Sequence, residues 1–354
     1  MENRQQTLLR MADELKLSKT TVSVCLSGNA EKYKIKPDTV ERVKKYAEKI
    51  NYIPNRIARS LTKPGNAPVG LIISQDSSSE KSLYAMRRAM QMLDESGREF
   101  IVQNFLTYHI SDAVAALKGM NVKEIIMFGI FREQVNVERV PQNVLIRFQA
   151  DQARLASLLK DMRFYSVDYN FPALENSPLK MYRLGTNRND IYAKLFIALF
   201  KAVKVPIVCD ENCIQLDTIN NLAGLGLEIK PANIIAMPEN TSGNPFKIGC
   251  ELVPQVIAMI KSDRIKAAVL HDDKVAAGLI DGLLANGYSV PDDISVIGFD
   301  NIEAAPYFKV SLTTIEVPVM KNTVMVVESI LSGKDIPATI ESEAKIIWRD
   351  SAKL

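Results

Sequence analysis

Residues 51–61 read NYIPNRIARSL, and their types point to polyanion binding rather than turnover. Pro54 biases Ile53 away from helical backbone angles, so the chain turns there. The segment that follows has the length of about two helical turns. Asn55 can cap it, Arg56 and Arg59 give it positive charge, Ala58 leaves one face thin, and Leu61 ends it as an apolar side chain without a core of its own. So short a helix is marginal alone in water. A cationic, conditionally folded helix tipped by leucine suits a DNA minor groove, where the leucine levers a base step apart. A linker that happens to carry two arginines is the other reading of the same residues.

Chemistry of other kinds finds little support. The only histidines are His109 and His271. His271-Asp272-Asp273 suggests an acid–base or metal cluster, but adjacent residues on one strand alternate faces and do not converge. No Gly-x-Ser-x-Gly elbow, phosphate-binding glycine loop or metal-binding helix is present in the sequence. Cys209 and Cys213 are followed by no histidine or second cysteine pair of the kind a zinc site needs, and with Cys25 and Cys250 they read as reduced thiols. The expectation is no enzyme, no metal and no cofactor.

The elements that must position the basic stretch are legible in charge and periodicity. A chain of 354 residues should hold two or three domains. Its net charge of +3 conceals an asymmetry: residues 1–63 carry 14 Lys+Arg against 7 Asp+Glu, and the remainder carries 30 against 34. A small basic head on a mildly acidic body is the pattern of a nucleic-acid-binding module attached to a soluble domain. No apolar run reaches transmembrane length, and the start is polar and amphipathic rather than a secretory signal, so a cytoplasmic location without membrane attachment is expected.

In the head, Thr7 to Leu15 (TLLRMADEL) places Leu8, Leu9, Met11, Ala12 and Leu15 at helical spacing, with Thr7 as N-cap. After a tight connection at Lys16-Leu17, Ser18 caps a second helix ending at Gly28. Two short helices so joined predict a helix-turn-helix, whose second helix enters the major groove of double-stranded DNA. Val22, Cys25 and Leu26 should face the core, leaving Lys19, Thr20, Thr21, Ser23, Val24 and Ser27 for DNA or water. A third helix, Pro37 to Ile50, carries Val40, Val43, Ala47 and Ile50 on one face, and Pro37 fits its first turn.

ADELKLSKTTVSVCLSG followed by NYIPNRIARSL resembles the DNA-binding head and hinge of the lactose-repressor (LacI) type of bacterial transcription regulator. The resemblance implies that Lys19 and Thr20 read base edges and that Leu61 is the minor-groove wedge. It assigns DNA contact to Thr7, Ser18, Thr21, Ser23, Val24, Asn51, Asn55, Arg56, Ala58 and Arg59 as well. Two departures stand out. Val24 occupies a place where the family usually carries arginine, so it cannot donate to guanine but can touch a thymine methyl. The loop NAEKYKIK (29–36) is longer than usual, and its Lys32, Tyr33 and Lys34 are expected to add phosphate contacts, which raise affinity and salt dependence without specifying sequence.

Beyond residue 66, strand-like runs such as VGLIIS (69–74), EIIMFG (124–129), AAVLHD (267–272) and ISVIGFD (294–300) alternate with helical segments. This predicts parallel sheets covered on both faces, in two similar lobes, with ligand outside the carboxyl ends of the strands. The family resemblance continues in AGLIDGLLANGYSVPDDISVIGFDN (277–301), LTTI (312–315) and the segment 346–351. It implies an α/β periplasmic-binding-protein-like core of two Rossmann-like lobes behind an all-α helix-turn-helix head and hinge helix. The expected limits are 1–53 for the head, 54–66 for hinge and linker, and 67–354 for the effector-binding and dimerisation core. Its lobes should comprise 67–186 with 316–336, and 187–315 with 337–354.

Cleft positions follow from the same resemblance: Ser74, Gln75 and Asp76 at the end of the first strand, Asn187 at a crossover, Asn221, Asp272 and Asp300. Carboxylates and amides of this kind suit sugar hydroxyls, although each strand-end Asp or Asn has a local alternative as a helix cap. Asn187, Asn221 and His271 depart from the family pattern and leave the ligand class open. The implied function is a repressor controlled by a small molecule, acting as a homodimer on a roughly palindromic operator. A solute-binding protein of a transporter is the alternative that the body alone would permit.

Overall fold

The computed structural model describes residues 4–28, 30–52, 67–74, 80–105, 109–128, 150–151, 153–167, 180–203, 207–210, 234–235, 244–262 and 265–353. The chain divides into two compact units, Met1–Ala67 and Pro68–Leu354.

The first unit holds α1 (Arg4–Leu15), α2 (Lys19–Leu26) and α3 (Pro37–Lys49). Its small core consists of Met11, Ala12, Val22, Cys25, Val43 and Ala47, edged by Leu8, Leu15, Leu17, Leu26, Ile35, Val40, Tyr46 and Tyr52. Three sequence expectations need correction. Thr7 is the fourth residue of α1 and not its cap, because the helix begins at Arg4. Leu9 is 46% exposed and Ile50 37% exposed, so neither belongs to the core. With three helices around one small centre, each can bury only a narrow stripe, and Leu9 falls outside it. Ile50 is the C-cap of α3 and has left helical geometry, which turns it away from the stripe.

The second unit contains two six-stranded sheets, the two-lobed α/β arrangement predicted from the alternating pattern. The first sheet includes β1 (Val69–Ser74), β2 (Phe100–Phe105), β3 (Glu124–Phe128), β4 (Arg163–Val167), β5 (Lys180–Gly185) and β11 (Thr339–Glu341). Its order is β11-β5-β4-β3-β1-β2, parallel throughout. The second includes β6 (Ile207–Asp210), β7 (Ile234–Ile235), β8 (Ala267–Val269), β9 (Ser295–Phe299), β10 (Thr313–Glu316) and β12 (Lys345–Ile347), in the order β12-β10-β9-β8-β6-β7. Among the described residues, only its β10–β12 pairing is antiparallel.

Helices α4 (Glu80–Glu95), α5 (Ile110–Gly119) and α9 (Val319–Ser332) pack in the first lobe. Helices α6 (Arg188–Val203), α7 (Pro245–Lys261) and α8 (Asp273–Ala285) belong to the second. The last crossover lies after Glu341 and not at 336/337, since β11 pairs with β5. The apolar pattern of so short a strand carries no mark of which sheet it joins. One core cluster runs through both sheets, from Leu71 and Phe128 to Phe299 and Ile315. In the second lobe α7 and α8 meet backbone to backbone, because Gly249 and Gly278 remove the side chains that would separate them.

Candidate nucleic-acid interface and effector cleft

The geometry of the helix-turn-helix begins with two local devices. Lys16 adopts φ 53° while the Leu17 amide donates to the Ala12 carbonyl, so α1 stops in a left-handed turn without glycine. Ser18 then accepts a hydrogen bond from the Thr21 amide at 3.0 Å and shares another with the Thr21 hydroxyl at 2.8 Å. This is the predicted N-cap of α2, and it aims the open start of that helix outward.

Val22 and Cys25 point inward, while Ser18, Lys19, Thr20 and Ser23 are exposed and Thr21 and Val24 are half-buried. The expected reading residues therefore share one accessible edge of α2. Arg42 donates to the Leu15 carbonyl at 3.2 Å, which ties α3 to the end of α1. In the loop before α3, Ala30 is buried and Ile35 packs on the core, while Lys32, Tyr33 and Lys34 project into solvent. Asn51 takes φ 49°, and its amide and that of Tyr52 close the last turn of α3 onto Glu48 and Ala47. Asn55, Arg56, Ala58, Arg59 and Leu61 lie outside the described residues.

In the second unit, Asp272 and Asp300 are drawn together at the carboxyl ends of neighbouring strands, and both are buried. His271-Asp272-Asp273 does not lie on a strand, as the sequence suggested: β8 ends at Val269 and α8 begins at Asp273. Asp272 caps α8, accepting from the amides of Lys274 at 2.7 Å and Val275 at 3.3 Å. Burial pushes its carboxyl above the usual range, against the pull of His271 and of those two amides. Asp273, fully buried, accepts from the Ile302 amide at 2.8 Å and the Thr314 hydroxyl at 2.5 Å. Burial raises its pKa to about 8 despite both bonds, with Asp300 and Asp272 adding to the rise.

Asp300 itself has φ 105° and is followed by Asn301 at φ 50°, two successive non-glycine residues in the left-handed half of backbone space. Beside them Phe299 stacks on Tyr192, with ring centroids 5.5 Å apart, and the Arg188 guanidinium lies 5.0 Å from the Phe299 ring centre. Asn187 accepts from the Asp190 amide at 3.1 Å, the local capping role. It also lines a cavity of about 240 Å³ on the crossover segments, with Thr186, Asp190, Lys194 and Ser342. Ser74 is the last residue of β1. Gln75, Asp76 and Asn221 lie outside the described residues.

Sequence reasoning passed over Glu80, Lys81 and Lys274, which the structure places across the lobes from one another. Their only signal was a charge at the start of a helix, where surface charges are common. Among the described residues, no group of three or more His, Cys, Asp or Glu could hold a metal ion, and no helix is long and apolar enough to cross a membrane.

Residues 227–352 match the periplasmic binding protein-like domain family. Over 98% of its own length and 98% of the relative's, the chain is 25% identical to the HTH-type transcriptional regulator AscG of Escherichia coli (strain K12). Its fold is similar to that of a lac repressor dimer solved with operator and an anti-inducer, with a TM-score of 0.67 at 17% identity, covering 96% of this chain and 97% of the other. A regulator from Weissella paramesenteroides solved with bound sucrose is similar over 80% of this chain and 98% of its own, with a TM-score of 0.58 at 16% identity.

Proposed function

The chain belongs to the LacI family of DNA-binding transcription regulators, a family of regulators and not of enzymes, and from that premise we propose that it is a repressor of transcription whose operator affinity is set by a small molecule held between its two core lobes. It acts as a homodimer in the cytoplasm, and two-fold symmetry gives its operator a roughly palindromic sequence. The observation that carries the DNA-binding part is the capped second helix. Ser18, Lys19, Thr20 and Ser23 stand exposed along one edge while Val22 and Cys25 anchor the opposite one.

In this reading Lys19 and Thr20 contact base edges, Val24 meets a thymine methyl, and Ser18, Thr21, Ser23 and Asn51 contribute at the same surface. The hinge residues Asn55, Arg56, Ala58 and Arg59 bring Leu61 to the minor groove. Lys32, Tyr33 and Lys34 grip phosphate. The ligand is a polyol or sugar derivative. Buried carboxylates at Asp272 and Asp300 are hydroxyl acceptors, and the Weissella paramesenteroides regulator was solved with sucrose. Ser74, Gln75, Asp76, Asn187 and Asn221 complete the cleft in this reading. The ligand works by preferring one arrangement of the lobes, which changes how two protomers present their heads.

The test is retention of genomic fragments by the full-length protein over a salt series, comparing wild type with Leu61→Ala. A few palindromic sites should be retained, each weakened by the substitution. Weak binding that salt erases, indifferent to sequence and equal in both proteins, defeats the minor-groove reading. Adding candidate sugars to retained sites then tests the effector, which must shift the salt midpoint.

A further inference from the structure

Two consecutive residues at the start of α4, in the first lobe, reach the second lobe at two points. Glu80 Oε1 lies 2.5 Å from Lys274 Nζ, with 32% and 31% of the two side chains exposed. Lys81 Nζ donates to the backbone carbonyl of Asp300 at 2.5 Å. The receiving carbonyl belongs to a residue at φ 105°, a conformation that costs a non-glycine residue energy and persists only where its surroundings fix it.

The surroundings here do fix it. Asn301 donates its amide to Thr314 Oγ1 at 3.2 Å and its side-chain Nδ2 to Glu316 at 3.0 Å, and Arg349 donates to Asn301 Oδ1 at 2.8 Å. On the other side Asp273 holds both the Ile302 amide and Thr314. The turn is therefore braced from β10, from the chain after β12 and from the start of α8, so that it offers a fixed carbonyl to the ammonium opposite. Lys274, the residue after Asp273, starts from the same braced place.

We propose that Glu80–Lys274 and Lys81–Asp300 form an interlobe clasp that stabilises the relative arrangement of the two lobes seen in the structure. The crossovers confine the lobes to a hinge-like motion, and contacts outside them decide where along that motion the lobes rest. Two adjacent residues engaging two partners on a braced surface resist both opening and shear. Because the Glu80–Lys274 pair is partly exposed, salt screens it, and the clasped population should fall as ionic strength rises. This inference concerns the core alone and does not depend on the DNA-binding reading.

The test uses the full-length chain with spin labels at Lys160→Cys and Lys261→Cys, the native cysteines replaced by alanine, and pulsed-dipolar measurement of the interlobe distance without ligand. The parent should give one narrow distance at low salt. Glu80→Gln should lower the clasped-to-unclasped ratio by roughly fivefold, the most that one partly screened pair supplies. Lys81→Met should shift the distribution too, and the exchange Glu80→Lys with Lys274→Glu should restore the parent distance. A broad distribution in the parent overturns the proposal, as do single variants indistinguishable from it. An exchanged pair whose distance stays shifted, as in Glu80→Gln, overturns the ion-pair arm.

Discussion

Asp273 is a carboxyl whose environment acts against its charge. Its side chain is fully buried, and the space around it is so tight that a Cβ on Gly298 would lie 2.2 Å from Asp273 Oδ1. With a folded pKa of about 8 against an ordinary 3.8, the native state holds a proton over the interval between them that the unfolded chain releases. The stability it contributes is fully present below the unfolded value and is lost as pH rises through the folded one. The slope over that interval is at most about 1.4 kcal/mol per pH unit. Asp273→Asn, nearly isosteric and unable to ionise, should flatten this part of the profile, which chemical denaturation at several pH values between 5 and 8 will read. A slope unchanged by the substitution means that Asp273 is ionised throughout. The sequence marked Asp273 only as one of three adjacent titratable residues, because burial, unlike identity, depends on partners such as Thr314 and Ile302 that arrive from far along the chain.

At the scale of elements, two helical glycines have opposite roles. A Cβ on Gly278 would sit 2.0 Å from the Phe246 carbonyl oxygen, a backbone atom that cannot swing aside, whereas Gly119 near the end of α5 has nothing within 4 Å. Gly278→Ala should therefore cost about 1–3 kcal/mol by forcing α7 from α8. Gly119→Ala should leave stability unchanged or raise it by about 0.5–1 kcal/mol through lost freedom of the unfolded chain. Urea melts of the two variants give the signs directly. Elements were the most legible level: α2, its Ser18 cap and its buried Val22 and Cys25 follow from residue type and period. The start of α1 was less so: Thr7 has the residue type of a cap, but the helix runs back past it to Arg4. Cleft residues were read less well than head residues for a related reason. A helix carries its own period, but the cleft is made where strand ends from two lobes meet, and Glu80 and Lys274 have no periodic relation to announce them.

For the molecule as a whole, the charge division is the feature that binding should report. The projecting loop adds Lys32 and Lys34 to the cationic head, both exposed. If each neutralises one phosphate, replacing both with alanine should reduce the slope of log K against log salt by about 0.9 per lost contact, or roughly two per protomer, with the order of preference among operator sequences unchanged. Filter binding across a salt series measures this. An altered sequence preference would mean that the loop reads bases. The two-lobed architecture was visible as βα alternation, yet the allocation of segments to lobes was only partly so. β11 and β12 are three residues each, separated by three more, and go to different sheets.

That interleaving has a consequence for how the protein is made. The first sheet cannot close its β5 edge until Thr339–Glu341 has emerged, and the second lacks its β10 partner until Lys345–Ile347 follows. Ser351 then seals the second lobe, donating to the Val296 carbonyl at 2.6 Å and accepting from the Thr313 amide at 2.8 Å. A nascent chain with nearly all of the first lobe translated still carries an open sheet edge, the kind of surface that recruits other chains. Neither lobe can therefore finish until translation has passed residue 339, and the two sheets gain their last partners within a few residues of each other, so their exposure to aggregation and proteolysis ends nearly together.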